Sequence, residues 1–166
     1  AIRYSLSGNG NNTALGKKAL HCAQSAVHNI AIGSEAGKRN TSGTQNVFLG
    51  KYAGHGYNQD VTGNRNIAIG QNAGCNLSSG NDNIALGKNA IGGAAVTGNY
   101  NIAFGTDAGK LITSATGNVL FGYHSGTNLT TNGHNLFSGM YSGKYAFGSD
   151  NIAYGFKSLF GSTTAA

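Results

Sequence analysis

The chain has 166 residues, of which 28 are glycine, none is proline or tryptophan, and only 10% are charged, with a net charge of +6. A glycine load of this size usually marks disorder, but disordered chains lack a regular apolar beat and this one keeps its beat from end to end. Five acidic residues and five histidines, scattered along the sequence, do not make the convergent set of acids, bases and nucleophiles that catalysis needs, so no enzyme is expected.

The beat is a five-residue phrase that opens on asparagine and closes on glycine. In chain order it reads NTALG at Asn12, NIAIG at Asn29, NVFLG at Asn46, NIAIG at Asn66, NIALG at Asn83, NIAFG at Asn101, NVLFG at Asn118, NLFSG at Asn135 and NIAYG at Asn151. The closing glycines Gly16, Gly33, Gly50, Gly70, Gly87, Gly105, Gly122, Gly139 and Gly155 are separated by 17, 17, 20, 17, 18, 17, 17 and 16 positions. A fixed period with an apolar phrase too short for a helix predicts an all-β fold, a parallel β-solenoid of nine coils of about 17 residues. Each coil buries its apolar residues only against its neighbours. One repeat domain over 12–160 is therefore expected, with an entry segment over 1–11 and a tail over 161–166.

With the phrase glycine as position zero, positions −3 and −1 carry Ile30 and Ile32, Val47 and Leu49, Ile67 and Ile69, Ile84 and Leu86, Ile102 and Phe104, Val119 and Phe121. Side chains alternate along a strand, so these share a face and are read as the core columns. Position −2 points the other way yet is also apolar, mostly alanine: Ala31, Ala68, Ala85, Ala103 and Ala153, with Phe48, Leu120 and Phe137 as larger members. A strand apolar on both faces is buried on both. The alanine stripe at Ala31, Ala68, Ala85 and Ala103 is accordingly expected to meet another copy of the chain; the alternative is a flattened coil that packs the stripe against its own loops.

Ahead of each phrase lies a polar turn such as Thr62-Gly63-Asn64-Arg65, and after it position +3 is always Ala or Ser while +4 is glycine in six of the nine coils. Those are the marks of a tight corner with a permissive backbone. The repeated asparagine is expected to bond the bend and to stack on its own copies as a ladder through Asn29, Asn46, Asn66, Asn83, Asn101, Asn118, Asn135 and Asn151. Lys17, Lys51 and Lys88 each follow a phrase glycine and are placed on one outward corner. Cys22 and Cys75 lie three coils apart, roughly 14 Å at the ~4.8 Å strand spacing, too far for a disulfide.

The histidines match no zinc spacing and no calcium-loop motif occurs, so no cofactor or metal is expected. The arginines are too dispersed for nucleic-acid binding. No signal peptide, membrane-spanning run or lipidation motif is read, and no membrane insertion is expected. A chain that opens on Ala1 rather than methionine is open to being a piece of something longer. The aromatics gather toward the C-terminus, and Tyr123, Tyr141, Tyr145 and Phe156 are the candidate ligand contacts, because an aromatic ring with a hydroxyl edge suits a sugar.

The phrase NIAIGxxAG, preceded by a GNxN turn, resembles the head repeats of trimeric autotransporter adhesins, and is more similar still to the NTAIGYQAL-type arrays of phage tail fibres. The likeness runs from about Gly8 to Leu159. It implies a left-handed parallel β-roll that trimerises around a threefold axis and serves attachment to a host surface glycan, on a virion tail fibre or at a cell surface. The expected function is thus a structural and receptor-binding segment of a homotrimeric tail fibre. A bacterial trimeric adhesin head and a purely structural spacer or filament subunit are the alternatives.

Overall fold

The computed structural model describes residues 10–93 and 95–161, so the entry segment up to residue 9 and the tail from 162 lie outside the described residues. Each phrase forms one three-residue strand: β1 (Thr13–Leu15), β2 (Ile30–Ile32), β3 (Val47–Leu49), β4 (Ile67–Ile69), β5 (Ile84–Leu86), β6 (Ile102–Phe104), β7 (Val119–Phe121), β8 (Leu136–Ser138) and β9 (Ile152–Tyr154). They make a single sheet in the order β1 to β9. Every pair is parallel and in repeat register, Ile30 beside Val47 and Val47 beside Ile67. Parallel neighbours need a long connection, and here that connection is the rest of the coil. The result is a β-solenoid, without a helix among the described residues.

The phrase glycine closes the strand for two reasons. In the first eight coils its φ lies between 127 and 139°, a region that side chains avoid. The coils also touch there: a Cβ on Gly33 would lie 2.6 Å from the Gly50 carbonyl oxygen. Two positions later the chain turns again through the left-handed region, with φ from 53 to 62° at Lys18, Glu35, Tyr52, Asn72, Asn89, Asp107, His124, Tyr141 and Lys157.

The interior reverses the expected assignment of faces. Ala31, Ala68, Ala85 and Ala103 are completely buried within the single chain, as are Phe48, Leu120 and Phe137, so position −2 faces inward. Positions −3 and −1 face outward, and Ile30, Ile32, Phe104 and Phe121 remain 38–44% exposed. The alanine stripe therefore has no surface to offer a second subunit, and it packs against the chain's own loops. Narrowness is the cause. The inner column meets the small +3 column (Ala19, Ala36, Ala53, Ala73, Ala90, Ala108) and a third column that includes Leu77, Ile112 and Leu129, all fully buried.

Bulk is traded between columns at each level. Phe48 fills the interior where Gly37 and Gly54 occupy the +4 corner, and a Cβ on Gly37 would approach its Cδ2 to 2.7 Å. In two coils with alanine at −2, those of Ala14 and Ala85, the corner instead carries buried Leu20 and Ile91, both at positive φ; in the coils of Ala68 and Ala103 the corner stays glycine, and Leu77 and Ile112 of the third column fill the space beside Gly74 and Gly109. Close-packed interiors demand such compensation.

A second spine is polar. The phrase asparagines from Asn29 to Asn135 are buried, and the Oδ1 of each accepts the backbone N–H of the next: Asn29 from Asn46 at 2.8 Å, Asn46 from Asn66 at 2.8 Å, Asn66 from Asn83 at 2.9 Å, Asn83 from Asn101 at 3.0 Å. The run continues through Asn118 and Asn135 to Asn151. From Asn12 to Asn135 the Nδ2 reaches across the coil to a turn carbonyl, as Asn66 to Gly80 at 2.8 Å and Asn101 to Ala115 at 2.7 Å. Buried backbone groups at the bend are thereby satisfied.

Candidate interaction surfaces

Three surfaces stand out on this scaffold. The first is the outward face of the sheet, with positions −3 and −1 forming two parallel apolar columns. Nine strands at the usual spacing make it about 38 Å long. Among the described residues, the nine strands place no charged side chain on it, whereas the neighbouring +1 column carries exposed Lys17, Lys51 and Lys88.

The second surface is the C-terminal aromatic cluster. All four sequence-predicted ligand residues belong to it. Tyr123 packs edge-on to Tyr141 at 5.4 Å between ring centroids, Tyr141 touches Phe156 and Phe160 at 6.4 Å, and Tyr145 meets Phe160 at 5.1 Å. Tyr123 and Phe156 are exposed, while Tyr141 and Tyr145 are half-buried. Residues that sequence reasoning missed complete it. His124 stacks on Tyr141 at 5.6 Å, Lys144 lies over both Tyr141 and Tyr145, and Lys157 lies over Phe156 and Phe160. The cluster combines flat apolar faces with two cations. Its signal in the sequence was the aromatic gathering at +1 and +2, where Tyr123, Tyr141 and Phe156 replace the lysines and small polar residues of earlier coils.

The third surface was not anticipated, although its signal was the 20-residue spacing between Gly50 and Gly70. The additional residues leave the wall after Gly54 and return at Val61, which bridges to Asn40. Both neighbouring coils hold this excursion: Arg39 N–H donates to the His55 carbonyl, Gly56 N–H to the Cys75 carbonyl, Gln59 Nε2 to the Asn76 carbonyl and Tyr57 Oη to Asn72 Oδ1. Beside it opens a cleft of about 410 Å³ lined by Cys22, Gln24, Lys38, Arg39, Thr41, His55, Tyr57 and Asp60.

The cleft's charges are closed among themselves. Glu35 Oε2 accepts from Lys38 Nζ at 2.9 Å and faces His55 Nε2 at 3.0 Å. The Lys38 ammonium and then His55 hold the Glu35 carboxyl down to about 2. Burial pushes the His55 imidazole below its ordinary value, against the pull of Glu35. His55 is buried, its ring sits 4.2 Å from Tyr57 and 5.3 Å from Tyr52, and its Nδ1 has no hydrogen-bond partner. Arg39 donates from Nε at 3.1 Å and from Nη2 at 2.8 Å, both to Asp60 Oδ1.

The two cysteines are free; Cys75 is buried, donates to the Gly92 carbonyl, and its thiol is pushed up to about 11 by burial. Among the described residues no helix is long and apolar enough to cross a membrane. No protein-family model, curated protein or solved structure matches the chain.

Proposed function

We propose that the chain is a structural and receptor-binding segment of a homotrimeric fibre that attaches to a host cell surface, carried on a virion or a cell exterior. The observation behind it is the outward sheet face: two apolar columns, interrupted only by Thr13 at one end and Ser138 near the other, along a face about 38 Å long that the chain itself leaves uncovered. Continuous exposed apolar surface of this kind marks an interaction site. A second copy of the chain offers the same length, the same strand spacing and the same apolar character. The threefold order follows the resemblance of the phrase to tail-fibre and adhesin repeats. At such an axis each rod presents its −3 column to one neighbour and its −1 column to the other.

In this reading the alanines take no part in assembly, and the C-terminal cluster around Tyr123, Tyr141, Tyr145 and Phe156 makes the glycan contact. The competing reading of the cluster is a spacer, favoured by the mutual packing of Tyr141, Tyr145 and Phe160. Single alanine variants of Tyr123, Tyr141 and Tyr145, assayed for thermal stability and for binding to host cells or extracted glycans, separate the two. Lost binding at unchanged stability supports attachment by the cluster; binding that falls only as stability falls makes these tyrosines part of the shaft.

A further inference from the structure

We infer that the cleft beneath the 55–61 excursion is a binding site for a neutral pyranose. It deepens the attachment reading by naming a ligand class, and it occupies a different place from the C-terminal cluster. None of the cleft-lining residues belongs to a strand, so covering the sheet face in an assembly leaves the cleft open.

The volume, about 410 Å³, falls within the roughly 300–1,000 Å³ range of small-molecule sites. Charge decides the ligand's class. Lys38 is matched by Glu35 and Arg39 by Asp60, so each charge is already balanced by a partner and an ion of either sign gains less here than at an unpaired charge. A neutral ligand leaves both pairs standing. The lining nevertheless rejects a purely apolar molecule, because its groups would lose water without replacement.

The lining offers mixed hydrogen-bonding capacity. Because Arg39 spends Nε and Nη2 on the single Asp60 oxygen Oδ1, Oδ2 is left to accept from a hydroxyl, and Gln24 and Thr41 both donate and accept. Hydroxyls that donate and accept at once are the natural complement. Tyr57 supplies the apolar wall: its ring is 41% exposed and is fixed by the hydrogen bond from its hydroxyl to Asn72 and by contact with His55. A pyranose ring, with one C–H-rich face and a rim of hydroxyls, matches a flat aromatic wall beside a polar floor. The anchoring of the excursion on both adjacent coils makes the site preformed, which lowers the ordering cost of binding.

The test is a titration of the unmodified chain, followed by backbone amide NMR, with the methyl glycosides of glucose, galactose, mannose and N-acetylglucosamine, and with inorganic phosphate and glucuronate as anionic comparators. At least one neutral glycoside is expected to shift residues 22–24, 38–41 and 55–60 saturably. Asp60→Asn and Gln24→Ala, each shown by melting to be folded, are expected to weaken that binding about tenfold or more. Shifts with phosphate or glucuronate alone, no shift with any neutral glycoside, or full binding retained in both variants overturns the inference. Glycoside shifts confined to Tyr123, Tyr141 and Tyr145 also overturn it, while leaving attachment by the C-terminal cluster intact.

Discussion

Replacing Asn66 by alanine tests the polar spine at its middle. The side chain is completely buried. Its Oδ1 accepts the Asn83 N–H at 2.9 Å, and its Nδ2 donates to the Gly80 carbonyl at 2.8 Å. Truncation leaves one backbone donor and one backbone acceptor unpartnered inside the coil, each costing about 1–3 kcal/mol. The expected loss is therefore about 2–6 kcal/mol, a fall in midpoint of roughly 5–20 °C for a domain of this size. Asn151→Ala is the internal control. Asn151 is only half-buried, and its Nδ2 bonds are to Asn135 Oδ1 and to the partly exposed Ser149 carbonyl. Its loss is expected to cost about 1 kcal/mol. Paired melts followed by circular dichroism give the comparison. An Asn66→Ala variant as stable as the unmodified chain, or no less stable than Asn151→Ala, refutes the ladder as a stabilising element.

Other substitutions probe packing, charge and assembly. Gly54→Ala places a Cβ against the Phe48 ring at a backbone φ of 58° and is expected to destabilise by about 1–3 kcal/mol; adding Phe48→Ala should relieve the clash but not the backbone strain, which a melt of the double variant reads. Ile69→Asp with Leu86→Asp puts charge on the outward face and should abolish self-association while circular dichroism stays unchanged; loss of the fold instead would return these positions to the core. Stability should also fall in acid. Glu35 is held below its unfolded value and His55 is held below its own, so the unfolded chain binds more protons than the folded one as pH drops below about 6.5, and again between about 4.5 and 2. Denaturant midpoints across that range check this, and Glu35→Gln should remove the lower step.

Much of the fold could be read from the phrase alone. The strands β1 to β9 fall on positions −3 to −1 of each phrase, and the glycine spacing placed them in one parallel stack. Which face looked inward could not be read in the same way. Alternation says that Ile67 and Ile69 share a face opposite Ala68; it does not say which face is inside. The larger residues were assigned to the core by bulk, yet an interior shared by three columns is too narrow for large residues at every level. The constant alanine or serine at +3, buried at Ala36, Ala53 and Ala73, was the evidence of that narrowness. The cleft was missed for a different reason. Its lining comes from residues 22–24, 38–41 and 55–60 of three successive coils, and only the stacking register brings Arg39 against Asp60. The predicted aromatics were found together because Tyr123, Tyr141 and Phe156 fall at neighbouring positions +1 and +2 of three successive coils, which stacking places side by side, while Tyr145 at +6 joins them through Phe160.

Sedimentation equilibrium of the unmodified chain bears most directly on the outward sheet face as an assembly surface. The account predicts a species of three times the 16.9 kDa chain mass, converted to the single-chain mass by Ile69→Asp with Leu86→Asp. A stable monomer, with Ile69, Leu86 and Phe104 left in water, would contradict it.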